Sequence, residues 1–298
     1  MARKIFQSKM RIYDFRPYDY PLLTHKLINL LIKSRNDRLI TSFSLGKDFN
    51  RVYKSGSIIK CPELNLEIDI NFLSDVIKEG FIYAIIGDKL CRLDFYKNGK
   101  YYKLLPVDVY TAPTLEISGI HMHRISGITP WEDARAKVCS LGNLRGKVVL
   151  DVCTGLGYTC IHLLLRGALH VITIEKDVNV LELAKFNPWS RELLSDKVKI
   201  IIGDASKVIS SFADSQFDVI IHDPPRLAIA GELYSNDFYM ELYRVLKPGG
   251  KLFHYVGKPG YKVRRIKLME NICGRLKRIG FKVKPVHNIL GLCARKLN

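Results

Sequence analysis

In the second half of the chain, mainly apolar runs alternate with stretches of helical spacing. Val148, Val149, Leu150 and Val152 form one run with Asp151 at its carboxyl end, and the chain then turns through Gly155 and Gly157. Ile161, Leu163, Leu164 and Leu165 follow in a helical pattern. Residues 169–175 form a second run ending in Glu175, and residues 198–203 a third ending at Asp204. Phe217–His222 is a fourth, ending at Asp223, and residues 251–256 are a fifth. Apolar runs of this length, separated by helices, predict parallel strands buried on both faces. The expected fold class is α/β, a Rossmann-like sheet over residues 113–298 with ligands at the carboxyl ends of its strands.

Residues 1–112 predict a smaller α+β or β-meander domain. Residues 21–33 carry leucines at helical spacing, and residues 38–53 read as two strands around Gly46-Lys47-Asp48. Residues 71–79 read as a short helix. Residues 81–86, 90–96 and 101–105 alternate and are rich in β-branched and aromatic side chains. Gly87-Asp88-Lys89 and Lys97-Asn98-Gly99-Lys100 are hairpin signals between them. Thr129-Pro130 reads as a helix start, with Thr129 as cap and Pro130 in the first turn.

Four strands ending in an acid, or in acid followed by prolines, mark a cofactor site. Gly155 and Gly157 allow a tight turn and a close approach of backbone to ligand. Glu175 lies about 20 residues beyond that turn, where such folds place the carboxylate that accepts from ribose hydroxyls. A dinucleotide fingerprint would put a third glycine where Cys160 stands, and it has no use for Asp223-Pro224-Pro225.

From about Gly119 onward, the chain resembles the class I S-adenosylmethionine-dependent methyltransferases. Asp151, Gly155 and Gly157 match the family's D-x-x-x-G-x-G element. The resemblance implies S-adenosyl-L-methionine as cofactor, bound by Asp151, Thr154, Gly155, Gly157, Glu175, Asp204 and Ala205. It makes Asp151 a holder of the methionine amino group, Glu175 the ribose ligand and Asp204 the adenine contact. Asp223-Pro224-Pro225-Arg226 matches the family's fourth motif, beside the reacting methyl, and is the expected catalytic group. In the amino-methylating branches an aromatic follows the prolines. Here Arg226 stands in its place, and a guanidinium can stack on a base or clamp a phosphate. His222 is expected to point away from Asp223 by strand alternation. Residues 117–137 precede the cofactor domain, a position from which such segments often fold over the cofactor in the family, and His123 and Arg124 within them are candidate substrate contacts. His121 and His123 lack a third ligand at metal spacing, so no metal is expected. Trp189 is expected to pack.

Composition adds a partner. The formal net charge is +18 over 298 residues. From Lys251 onward only Glu270 opposes a long series of Lys and Arg, with Lys262, Arg264, Arg265 and Lys267 in one group and Arg275, Lys277 and Arg278 in another. The N-terminus is also basic, with Arg3, Lys4, Lys9, Arg11 and Arg16 interleaved with Phe6, Tyr13, Phe15 and Tyr18. Such a surface predicts a polyanion, here tRNA or rRNA bound through both basic segments. No apolar run reaches the length of a membrane span, the odd count of seven cysteines contains no C-x-x-C pair, and no secretory pattern opens the chain. A cytoplasmic location is the expectation.

Three functions follow as expectations. The first is N-methylation of an RNA base. The second is aminopropyl transfer of the spermidine synthase type, because residues 231–246 resemble the segment after that branch's catalytic acid, or methylation of a small molecule on the same fold. The third, a non-catalytic RNA-binding protein, sits poorly with acids at every expected strand end.

Overall fold

The computed structural model describes residues 10–257 and 262–297. Two compact units divide the chain. One comprises Met1–Phe15, Asp133–Val178 and Glu192–Asn298, and the other Arg16–Glu132 and Asn179–Arg191.

The first unit is built on an eight-stranded sheet. Its strands are β1 (Arg11–Tyr13), β2 (Val148–Val152), β3 (His170–Glu175), β4 (Val198–Ile202), β5 (Phe217–His222), β6 (Leu246–Tyr255), β7 (Phe281–Val286) and β8 (Gly291–Lys296). The spatial order is β1-β4-β3-β2-β5-β6-β8-β7. The pairs among β4, β3, β2, β5 and β6 are parallel. Chain order reverses at β2, so the crevice between β2 and β5 is a topological switch point, where ligands of such sheets bind. Helices α1 (Pro130–Cys139), α2 (Tyr158–Leu165), α3 (Asn236–Val245) and α4 (Lys262–Ile279) accompany the sheet. Leu150, Ile174, Ile201, Ile220 and Leu252 from the strands pack with Phe238, Leu242, Ile272 and Leu276 from α3 and α4 in one core. Ser235 caps α3 by accepting from Phe238 N.

The expected sheet is present, and it is wider than the sequence suggested. β1 adds antiparallel to β4, with Arg11 opposite Ile202 and Tyr13 opposite Ile200. Phe15 is 3% exposed. Residues 10–15 therefore belong with the sheet, and the boundary expected at residue 112 lies instead at Glu132/Asp133. The basic C-terminus is likewise folded into the sheet. β7 and β8 form an antiparallel pair on its other edge, and β8 bonds β6. Side chains of Arg3, Lys4, Phe6 and Lys9, and those of Lys262, Arg264 and Arg265, lie outside the described residues.

The second unit holds three small antiparallel sheets, and its helices include His25–Lys33 and Ile70–Val76. Thr24 caps the first helix by accepting from Leu27 N. Leu27, Ile28 and Leu31 pack with Val52, Ile59, Ile68 and Tyr83. The Asn98-Gly99 turn has both residues at positive φ, as a two-residue hairpin requires. The run expected over residues 90–96 is split at Leu93 into Lys89–Arg92 and Asp94–Lys97, which join different sheets. Trp189 packs as expected: its indole donates to Leu45 O at 3.0 Å, and its ring leans on Trp131. Among the described residues, no helix is long and apolar enough to cross a membrane.

Candidate active site

The chain leaves β2 through a left-handed turn. Cys153, Gly155 and Gly157 have φ of 76°, 55° and 82°. A non-glycine residue in that region is strained by roughly 1–2 kcal/mol, and such strain is tolerated where the surroundings enforce it. Here Cys153 N and Thr154 N both donate to Ile174 O of β3. Gly157 caps α2, and a Cβ there would lie 2.6 Å from Leu193 Cδ1, so the position excludes larger residues.

Glu175 fastens this turn. Its two carboxylate oxygens accept from Gly155 N and Asp177 N, both at 2.9 Å. Burial raises its pKa, against the pull of those amides. At the next strand end, Asp204 accepts from Ser206 N and Ser206 Oγ, and its other oxygen meets Lys176 Nζ at 2.7 Å. Burial alone would raise the Asp204 pKa, but Lys176 and Ser206 hold it below the usual value. Lys176 also lies 3.6 Å from Glu232. Ala205 begins the short helix that Asp204 caps and is buried in the core.

Two of the expected cofactor residues, Asp151 and Thr154, are buried. Asp151 is fully buried, and its oxygens accept from Thr159 Oγ1 at 2.9 Å and Thr173 Oγ1 at 2.7 Å. Thr154 is also buried, with Oγ1 2.6 Å from Thr173 Oγ1. With Asp151 ionised, Thr173 spends its proton on the carboxylate and Thr154 donates to Thr173. β2 is buried on both faces, and the Asp151 carboxylate is satisfied there by threonines. Both residues thus brace the glycine turn through the threonines around it.

Burial pushes the Asp151 pKa up to about 7, against the hydroxyls of Thr173 and Thr159. A carboxyl whose folded pKa exceeds its unfolded value binds protons more tightly when folded. Its contribution to stability therefore falls as pH rises from about 4 to about 7 and is level above, a span worth roughly 4 kcal/mol. Asp151→Asn is expected to remove this slope. Guanidinium unfolding of both proteins at pH 5 and pH 8 checks it. An equal difference between them at the two pH values would mean that Asp151 stays ionised throughout.

Asp223 follows β5 and is tied to β2 through Asp223 N and Val152 O. Its Oδ2 meets Lys137 Nζ at 2.7 Å, and the same ammonium meets Asp133 Oδ2 at 2.9 Å. The Lys137 side chain is only 6% exposed, and its Nζ lies 3.9 Å from the centre of the Tyr255 ring. Burial opposes charge on Lys137, but Asp223 and Asp133 outweigh it and raise its pKa. Burial also raises the Asp223 pKa, and Lys137 counters part of that. Sequence reasoning missed Lys137. The signal was there: Ala134, Val138 and Leu141 are buried at helical spacing, and Asp133 and Lys137 sit one turn apart beside that stripe.

Pro224 is buried, Pro225 O accepts from Tyr234 Oη at 2.9 Å, and Arg226 is exposed. His222 points away from Asp223, as alternation predicts, and stacks on His254 at 4.3 Å. Among the described residues, neither His222 ring nitrogen has a hydrogen-bond partner. Burial lowers its pKa well below the usual value, and that of His254 to about 3, so both rings are neutral core groups. His123 belongs to the second unit, with Nδ1 3.0 Å from Thr114 Oγ1, and Arg124 follows it there. No group of three or more metal-ligating side chains occurs among the described residues.

Carboxylates at the ends of β2, β3, β4 and β5 thus surround a strained glycine turn at the switch point. The arrangement suits a ligand bearing hydroxyls and positive charge. A family model described as a methyltransferase domain matches residues 143–272. An uncharacterised protein of Methanocaldococcus jannaschii is 45% identical over 280 residues, 92% of this chain and 95% of its own length. A polyamine aminopropyltransferase of the same organism is 33% identical over 113 residues, 37% of each chain. Ribosomal RNA large subunit methyltransferase I of Pseudoalteromonas translucida is 27% identical over 149 residues, 47% of this chain and 37% of its own. The solved structure of a spermidine synthase with the transition state analogue AdoDATO aligns with a TM-score of 0.57 at 20% identity, covering 68% of this chain and 72% of that one, which is a likeness of fold.

Proposed function

The chain belongs to the class I S-adenosylmethionine-dependent methyltransferases, and from that premise we propose that it methylates a nitrogen of an RNA base, in tRNA or rRNA. The observation that carries the nitrogen assignment is the Asp223 carboxylate at the carboxyl end of β5: Lys137 holds its Oδ2 at 2.7 Å, while its Oδ1 makes no hydrogen bond among the described residues. That free oxygen supports a role for Asp223 in accepting from an N–H of the target.

S-Adenosyl-L-methionine is the family's cofactor, and the residues fit it. The glycine turn, with its left-handed backbone, leaves room for a close-lying ligand, and Glu175 and Asp204 supply acceptors for hydroxyl and amino groups. When bound, the cofactor supplies a methyl group on a sulfonium and departs as the neutral thioether. Asp223 accepts a hydrogen bond from the target nitrogen, turns its lone pair toward the methyl and passes the displaced proton to solvent. Lys137 favours the ionised form of Asp223, which that role needs. Arg226, exposed beside the prolines, is the residue for a phosphate or base face, and His123 and Arg124 are proposed substrate contacts.

The RNA assignment rests on charge. Lys267, Lys277, Lys282 and Lys284 are exposed and make no ion pair among the described residues. Not every cation is available: Lys251 donates to Leu141 O, Arg275 to Tyr234 O, and Lys296 to Tyr243 O and Leu246 O. The ribosomal RNA methyltransferase among the relatives supports the same reading.

Aminopropyl transfer is the second reading, favoured by the aminopropyltransferase relative. Lys137 argues against it. A polyamine needs carboxylates to hold its ammonium, and Asp133 and Asp223 are already bridged by an internal one. Calorimetric titration with S-adenosylmethionine and with its decarboxylated form, each with and without bulk tRNA, separates the two. Methyl transfer to RNA requires preference for the intact cofactor and salt-sensitive tRNA binding. Preference for the decarboxylated form would assign the site to polyamine synthesis.

A further inference from the structure

The second unit contains a four-stranded antiparallel sheet of Arg38–Thr41, Asn50–Ser55, Ile58–Cys61 and Leu66–Asp69, in that order. One face is core: Val52, Ile59, Cys61 and Ile68 are buried in it. The opposite face is open to solvent, and its composition is unusual for such a face. Ile40 is 70% exposed and Tyr53 45% exposed. The register places Arg38, Tyr53, Lys60 and Glu67 in one row across the four strands, and Ile40 opposite Arg51 in the neighbouring row. Directly opposed side chains on one face lie about 5 Å apart, so an exposed phenol ring has a cation on each side. Lys60 is shared with Glu67 at 3.0 Å, both side chains being more than half exposed. Arg38 and Arg51 make no ion pair among the described residues.

We propose that this face is a landing platform for a single-stranded segment of RNA, with Tyr53 stacking on a base and Arg38, Arg51 and Lys60 meeting the flanking phosphates. The proposal rests on the RNA reading above and extends it to a surface outside the α/β unit. The chemistry selects the partner. An aromatic ring on an open sheet offers a π-face to any base, and cations beside it meet a backbone that carries a phosphate at each nucleotide. Ile40 adds apolar area beside the ring. An acidic protein would find the same cations but would leave Tyr53 without a flat partner.

The test uses the full chain and a fluorescent single-stranded RNA oligonucleotide, with bulk tRNA as competitor, by anisotropy at several salt concentrations. Tyr53→Ala is expected to weaken binding about tenfold, the size of the loss of one stacked base. Tyr53→Phe should retain most of the affinity. Arg38→Ala with Arg51→Ala should shallow the salt dependence by about two phosphate contacts. Tyr96→Ala, a change at a 73% exposed tyrosine on another hairpin of the same unit, should leave binding unchanged. Thermal melting of each variant checks that the fold is kept. If the wild-type chain binds and Tyr53→Ala binds equally well, the platform is wrong and the RNA reading stands. If the wild-type chain binds no RNA, both fall. If Tyr53→Ala instead changes the oligomeric state with RNA binding intact, the face is a contact between copies, and the platform is overturned.

Discussion

Asp223→Ala is expected to lower methyl transfer by about 100-fold or more while leaving affinity for S-adenosylmethionine within a few-fold of wild type. The reason is positional. Glu175 and Asp204 sit at the ends of β3 and β4 and fasten the glycine turn and the following helix, whereas Asp223 stands at the end of β5, bridged to Lys137 and making no bond to that turn. Removing its carboxylate takes away the acceptor that orients the target and no part of the glycine turn. Lys137 keeps Asp133 as a partner at 2.9 Å, so the variant does not bury a lone ammonium. Glu175→Ala should show the reverse, weak cofactor binding with a loosened turn. Single-turnover rates beside calorimetric affinities distinguish the two. A near-normal rate in Asp223→Ala would remove that residue from the chemistry and with it the proposed alignment of the target nitrogen.

The sequence disclosed what its periodicity carries. The parallel strands were visible because each is mainly apolar, and four end at acids on the edge of the sheet where such folds bind ligands. His222 facing away from Asp223 followed from alternation alone. The burial of Asp151 was legible from its place within an apolar strand, but its partners were not. A buried carboxylate needs buried donors, and Thr159 and Thr173 come from α2 and β3, so only the fold brings them together. β7 was hidden by its charge. Phe281 and Val283 alternate with Lys282 and Lys284, an edge-strand pattern that reads as a basic tail when cations alone are counted. β1 has three residues and no periodicity to detect, and its place depends on a partner strand almost two hundred positions away. Lys137 was missed because a lysine on an amphipathic helix ordinarily belongs to the solvent face. Its burial is decided by two carboxylates, one on its own helix and one 86 residues further along.

Lys137→Met is expected to destabilise the fold by about 3–5 kcal/mol and to lower the melting temperature by roughly 10 °C, because it leaves Asp133 and Asp223 facing each other without the cation between them. Methionine keeps most of the side-chain volume, so the loss reports charge rather than a cavity. The sign is testable by restoring balance. Adding Asp133→Asn and Asp223→Asn should recover much of the stability, since an uncharged trio has no desolvation debt to settle, while activity stays low. Small alkylammonium ions should partly rescue Lys137→Ala in melting experiments by refilling the vacated position, and neutral alcohols of the same size should not. Diamine binding that emerges only in Lys137→Ala would make Lys137 the residue that closes this site to cationic amines and leaves it to the nitrogen of a neutral base. If Lys137→Met melts like wild type, the buried ion pair is not holding this corner together, and the specificity argument built on it fails as well.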